Sequence, residues 1–332
     1  MSLERLAQET IGSILAKLDK RSIIAAICTA KFMRREGERL LSGVVTFHFD
    51  EDRRDKLARR KEMNFVRAIV WNPELGLYVR ELTLNIDFPD WFYPSVHGSD
   101  LEKNPSAITR AIKSMPNLKV LDLDVLCPWS RTSTAFLEYP TPFKLKKLKL
   151  NVHHEFMFTK DQIVRVLQNQ PNLQHFALPL GPRPGLIKEA KAEGPSAAMA
   201  CVDLRGVCPL LEVLEGGYWA VLTLLPGRRA KHLSWMGNSN LPCGIYSTAT
   251  FLAPFLCEAY SRLEIISLRY SSSGFLQLAP HLTSLKCLVL HDQRIWDASL
   301  HSRISGAVRQ IIGLERVFIV IHTGEQLSTR GH

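Results

Sequence analysis

The densest grouping of proton-carrying side chains is His153-His154-Glu155. Zinc-peptidase chemistry needs two histidines four residues apart on one helical face, with a glutamate beside the first. Here no histidine follows at that distance, and the residues come directly after a strand-like run. Gly237-Asn238-Ser239 has the first half of a nucleophile elbow but lacks its second glycine, because Leu241 stands there. No glycine-rich loop has the spacing that cradles phosphates. The seven cysteines, at 28, 127, 201, 208, 243, 257 and 287, include no C-x-x-C pair. An odd, unpaired set points to reduced, mostly buried thiols rather than a disulfide frame or a zinc site. The expectation is a chain without intrinsic catalysis, metal or cofactor.

The elements that would position any functional side chain announce themselves by repetition. Leu118-Lys119-Val120-Leu121-Asp122-Leu123 has the spacing L-x-x-L-x-L. The spacing recurs from Val79, Leu145 and Leu173, more faintly from Leu211 and Ala230, and again from Leu263, Leu285 and Leu314. Successive copies start 39, 27, 28, 38, 19, 33, 22 and 29 residues apart. A unit with such a period cannot bury its own apolar face, so neighbours stack into a solenoid. These residues resemble the leucine-rich repeat in its irregular form.

Composition is that of ordinary globular material: 332 residues, 46% hydrophobic and 22% charged. The opening residues are charged and lead into no signal-type apolar run, and no stretch has the length of a membrane span. The expected compartment is the cytoplasm or nucleus, with no membrane partner. A formal charge of +10 is compatible with an acidic partner, nucleic acid included; a solvated basic excess is the simpler reading. Residues 50–62 alternate in sign, as an ion-paired exposed helix does. Lys144, Lys146, Lys147 and Lys149 form a more concentrated basic patch.

Before the repeats, Ile11, Ile14, Leu15 and Leu18 fall at i, i+3, i+4 and i+7, one stripe of an amphipathic helix. Ser22 is suited to cap the next helix, whose stripe runs through Ile23, Ile24, Ile27 and Cys28 to Phe32. Leu40 and Leu41 begin a third short element that ends in the alternating Val44-Val45-Thr46-Phe47. Three short helices bury little area alone and lean on a partner. The segment from Leu6 to Phe32 resembles an F-box. Leu6, Glu9, Ile11, Ile14, Leu15, Leu18, Asp19, Ile23, Ile24 and Phe32 stand where that family keeps its leading residues. It departs from the family at Ala7, where proline is usual, and at Ser22, where an acidic residue is usual. Residues 72–84 resemble the joint between F-box and repeats in fungal proteins of this architecture.

The resemblance implies a substrate receptor of an SCF (cullin-RING) ubiquitin ligase. Leu6, Ile11, Ile14, Leu15, Leu18, Ile23, Ile24 and Phe32 would dock on the Skp-type adaptor, and the repeats would hold the protein to be ubiquitinated. On this reading Leu15→Asp abolishes adaptor binding and leaves the fold intact. The other readings are a repeat scaffold whose helices merely cap it, and a nucleic-acid-associated repeat protein using Lys144 to Lys149, a partner class that is not expected.

The fold class that follows is α/β: an N-terminal three-helix F-box-like module, then an irregular leucine-rich-repeat solenoid with a curved parallel sheet and helices on its convex side. Its expected divisions are a module over residues 1–48, a linking helix over 49–77, repeats over 78–322 and a polar tail over 323–332. Glycine and proline between 181 and 196 mark an inserted loop. Alternation along a strand turns the fourth and sixth positions of each copy inward and the third, fifth and seventh to the concave face. That face would present Thr83, Asp122, Lys147, Lys149, His175, Glu215, His232, Arg269, His291 and Arg316 to a protein substrate, with Ala177 and Cys287 in the same rows.

Overall fold

A computed structural model describes residues 8–50, 56–87, 105–125, 135–152, 160–178, 206–235, 254–269, 278–292, 302 and 305–321. The chain divides into two compact units, Met1–Leu173 and Gln174–His332. Leu6, His153 to Glu155, Thr159, residues 181–196, the Gly237 motif and the tail after 322 lie outside the described residues. No described helix is long and apolar enough to cross a membrane.

Unit 1 begins with three helices: α1 (Gln8–Leu15), α2 (Lys20–Thr29) and α3 (Lys31–Ser42). The start of α2 differs from the expected one. Asp19, not Ser22, is its N-cap: an Asp19 carboxylate oxygen accepts the Ser22 backbone N–H at 2.9 Å, and the Ser22 hydroxyl donates to the other oxygen at 3.2 Å. The cap must lie three residues before the orphan donor it satisfies, which places Ser22 inside the first turn. Accepting that amide lowers the Asp19 pKa below its ordinary value. The stabilisation is therefore present above the usual carboxylate range and is lost as pH falls through the lowered folded pKa. Acidification should lower the protection factor of the Ser22 amide, measured against its intrinsic exchange rate at each pH, and in Asp19→Asn the protection factor should lack this titration.

After α3 the chain enters β1 (Val44–Asp50), α4 (Lys56–Trp71), α5 (Pro73–Gly76), β2 (Glu81–Asp87), α6 (Pro105–Lys113) and β3 (Val120–Val125). A 3-10 turn (Ala135–Glu138), β4 (Lys147–Val152) and α7 (Lys160–Gln168) follow. β1, β2, β3 and β4 pair in sequence order, all parallel. Parallel neighbours need a crossover between them, and α4 and α6 supply it. The strands are in register at equivalent repeat positions: Thr46, Thr83, Asp122 and Lys149 form one lateral row. Leu82, Leu84, Leu121, Leu123, Leu148 and Leu150, the fourth and sixth positions, are all buried.

Two expected divisions are corrected here. A boundary at residue 48 falls inside β1, whose seven residues all pair with β2. Val45 and Phe47 are buried like the leucines of later copies, so this strand belongs with the repeats. The helix expected as a linker is the helical half of that first repeat. Val66 and Ile69 of α4 are buried, and Phe65 meets Phe47 with ring centroids 5.6 Å apart. Asn72 ends α4 before Pro73, and its side chain then caps α5 by accepting the Glu74 amide at 3.3 Å. Gly76 lies against the chain after α6 so closely that an added Cβ would stand 2.0 Å from the Ser114 carbonyl oxygen.

Two polar clusters fasten unit 1. Gln170, fully buried, donates to the Thr141 hydroxyl at 2.9 Å and accepts the Leu145 amide at 2.8 Å. Glu138 receives Arg165 at 2.7 Å and Gln162 at 2.8 Å, fastening α7 to the 3-10 turn.

Unit 2 holds β5 (His175–Leu178), β6 (Val213–Gly216), α8 (Tyr218–Leu224), β7 (His232–Trp235), α9 (Pro254–Tyr260) and β8 (Ile265–Arg269). A 3-10 turn (Ala279–His281), β9 (Cys287–Asp292) and β10 (Arg316–Ile321) complete it. Its six strands also pair in order and parallel. Phe176, Leu214, Leu233, Ile266 and Leu288 form the buried row. Gly313 has φ +89°, the left-handed conformation expected after the helical turn at 305–308. β10 pairs only with β9 among the described residues, and its inward positions Val317 and Ile319 stay exposed while Leu288 and Leu290 of β9 are sealed.

Among the described residues of unit 2, one charge lies in the interior. Arg228, 3% exposed, sits just past the end of α8. Its Nη1 donates to the Leu224 carbonyl at 2.6 Å, and its Nε and Nη2 donate to the Val207 carbonyl at 3.1 and 2.9 Å. The last carbonyls of a helix have no intrahelical donor, and a cation there satisfies them. Burial pushes the neighbouring Cys208 thiol up to about 12, so at neutral pH it stays protonated and these carbonyls, not a thiolate, hold the guanidinium.

Candidate interaction surfaces

Two surfaces carry the residues singled out from the sequence. On the helical module the apolar stripe splits. Ile11, Leu15 and Ile23 are buried, Leu15 to 1% exposure, while Ile14, Leu18 and Ile24 remain 43%, 40% and 49% exposed. Phe32 is half-buried. The reason is geometric: α1 and α2 both pack on α3, and a stripe as wide as four positions per two turns cannot place all of its residues against one neighbouring helix. Ile11, Leu15 and Ile23, expected as partner contacts, are interior residues of the module, so Leu15→Asp, expected to abolish adaptor binding with the fold intact, would put a carboxylate into that interior. Polar flanks hold the helices in place. Arg39 pairs with Glu36 at 2.6 Å and Arg34 with Glu38 at 2.8 Å.

The second surface is the sheet face opposite the buried leucines, described separately in each unit. In unit 1, Thr83, Asp122, Lys147 and Lys149 are all half-buried on that face, as alternation requires. Lys149 Nζ lies 3.6 Å from Asp122 Oδ2, directly across β3 and β4. One position on, the Asn151 amide donates to Asp124 Oδ1 at 2.9 Å. Glu81, Lys144 and Lys146 are exposed, and Lys144 Nζ donates to the Asn169 carbonyl at 3.2 Å. The lysine patch thus divides between the face and the edge of the sheet.

In unit 2, His175 Nε2 lies 2.6 Å from Glu215 Oε1, a diagonal pair across β5 and β6. Ser267 Oγ lies 2.9 Å from His291 Nε2 in the same diagonal relation across β8 and β9. His232 is half-buried and Arg316 exposed. The side chain of Arg269 lies outside the described residues. Ala177 and Cys287 are corrected: both are buried, because short side chains are overtopped by the longer lateral neighbours Glu215 beside one, Ile265 and Arg316 beside the other. Among the described residues, no group of three histidine, cysteine or acidic side chains is arranged to hold a metal ion.

Sequence reasoning missed two features. The pairing of Asn151 with Asp124 was readable as complementary residues at one repeat position in successive copies. Arg228 gave no signal, because an arginine between Gly227 and Arg229 reads as surface. Comparison with models of known protein families gives no match, and a search of curated protein sequences gives none either.

Proposed function

We propose that this chain is a non-catalytic adaptor of an SCF (cullin-RING) ubiquitin ligase: its three-helix module docks on a Skp-type adaptor and its repeat faces bind a protein substrate. One observation carries the reading. Ile14, Leu18 and Ile24, at positions where the F-box family keeps apolar residues, remain exposed on a small helical module that buries Ile11, Leu15 and Ile23. Large apolar side chains left in water on a minor module are the material of an interface core. The strand faces add charged and polar side chains, among them the Lys149–Asp122 pair, suited to selecting a partner by charge.

The burial of Ile11, Leu15 and Ile23, together with the direct entry of α3 into β1, favours a second reading, a repeat scaffold with no ligase whose helices cap the stack. Purified Skp-type adaptor separates the two. Titrated with the full chain, it should bind the wild type, and Ile14→Asp combined with Ile24→Asp should weaken binding by at least tenfold (about 1.4 kcal/mol) without lowering the melting temperature. A folded wild-type chain that leaves the adaptor free decides for the scaffold.

A further inference from the structure

Each strand is entered through the second position of its repeat, and backbone hydrogen bonds align these entry residues into a row along the sheet edge. In unit 2 the row reads Gln174, Glu212, Lys231, Glu264, Lys286, Glu315, each amide donating to the preceding carbonyl at 2.8 to 2.9 Å except the first, which only accepts. Its charges alternate and neutralise one another: Lys231 and Lys286 reach the Glu264 carboxylate at 2.9 and 3.5 Å. That pairing lowers the Glu264 pKa and raises that of Lys231.

The same row in unit 1 is built on the opposite principle. It reads Gly43, Arg80, Lys119, Lys146, with the Arg80 amide on Gly43 at 2.9 Å, Lys119 on Arg80 at 2.7 Å and Lys146 on Lys119 at 2.7 Å. Three exposed cations stand at the entries of three adjacent strands, and none of them makes an ion pair or side-chain hydrogen bond among the described residues. Like charges directly opposite one another across a sheet destabilise it. A fold that alternates charge at this position in one unit and stacks cations in the other keeps a repulsion that an external anion would relieve.

From this juxtaposition we infer that the entry edge of the unit 1 sheet, Arg80, Lys119 and Lys146, binds an extended acidic peptide segment of a partner protein. Three cations at interstrand spacing cover roughly 10 Å, the reach of three or four residues of extended chain, which turn two alternate carboxylates toward the row. Nucleic acid fits less well. Phosphate-driven binding engages on the order of six to ten contacts, more than the three cations of this row offer. The inference rests on the sheet edge alone and stands whether or not the helices dock on a ligase adaptor.

The test uses the full chain and a fluorescent ten-residue peptide of alternating glutamate and aspartate, with a lysine peptide and a single-stranded oligonucleotide of equal charge number as comparisons. The acidic peptide should bind with a strong salt dependence, and Lys119→Glu combined with Lys146→Glu should weaken it at least tenfold. Lys231→Glu combined with Lys286→Glu, in the neutralised row of unit 2, should leave it unchanged. Lys119→Glu alone carries an independent signature: it recreates an alternating row, so it should raise the melting temperature at low salt while it weakens the peptide. Equal binding by both double variants, no binding by the wild type, tighter binding of the oligonucleotide, or a lowered melting temperature in Lys119→Glu overturns the inference.

Discussion

Gly76→Ala should destabilise unit 1 by about 3 kcal/mol, the upper part of the range for forcing extra atoms into a packed interior. The atom met by the new methyl is a backbone oxygen, Ser114 O at 2.0 Å. A side chain could rotate away; a carbonyl moves only with the chain that carries it. Ser114 follows α6 directly, and the next residues, Met115 and Leu118, are fully buried and lead into β3. Shifting that carbonyl therefore disturbs the entry to the second and third strands together. Urea unfolding followed by circular dichroism measures the loss as a lowered midpoint at unchanged slope. A midpoint within experimental error of the wild type would show that α5 can back away from α6 at no cost.

The second large effect belongs to unit 2. Arg228→Met keeps a similar length of apolar stem and removes the guanidinium. The Val207 and Leu224 carbonyls then lose their donors in the interior, at about 1–3 kcal/mol for each buried group left unsatisfied. A total loss of about 3 kcal/mol or more is expected. Arg228→Lys should recover little of it, because a single ammonium cannot span two carbonyls on different segments in the way a planar fork does. Thermal unfolding of the three proteins checks the order, wild type above Lys above Met, and an equal stability of Lys and wild type would sink the two-carbonyl account.

Much of the strand framework was legible because its signal is a repeated leucine. Each copy of L-x-x-L-x-L lies on a strand, its fourth and sixth positions are buried where described except at Trp235 and in β10, and even the faint copies from Leu211 and Ala230 are β6 and β7. β1 escaped for the same reason. Its copy reads Ser42-Gly43-Val44-Val45-Thr46-Phe47, with buried Val45 and Phe47 at the right positions and no leucine among them. Burial, not leucine, is what the repeat requires, so a search by residue type misses a strand that a search by apolar position finds.

The candidate surfaces were legible in direction but not in depth. Period two correctly put Asp122 and Lys149 on the face opposite the leucines, yet it could not tell that Ala177 and Cys287 would sink between taller neighbours. The helical stripe had a harder ambiguity. Ile11, Ile14, Leu15 and Leu18 share one spacing, and spacing alone does not say which of them α3 takes for itself. The row Arg80, Lys119, Lys146 was written in the second position of each copy, where sequence reasoning marked Lys146 as part of a basic patch and left Arg80 and Lys119 as variable. Its meaning needed the pairing register, which lays residues 39 and 27 positions apart side by side.

The unshielded flank of β10 has a thermodynamic consequence. Interior strands of unit 2 gain free energy from a neighbour on each side, whereas β10 draws on β9 alone among the described residues and leaves Val317, Phe318 and Ile319 wetted. In a stack held by nearest-neighbour coupling, such a rung frays at temperatures where the middle is still ordered. Melting of this unit is then a gradual peeling from one end, and a midpoint read from any one fluorophore is a property of that fluorophore's rung, not of the whole.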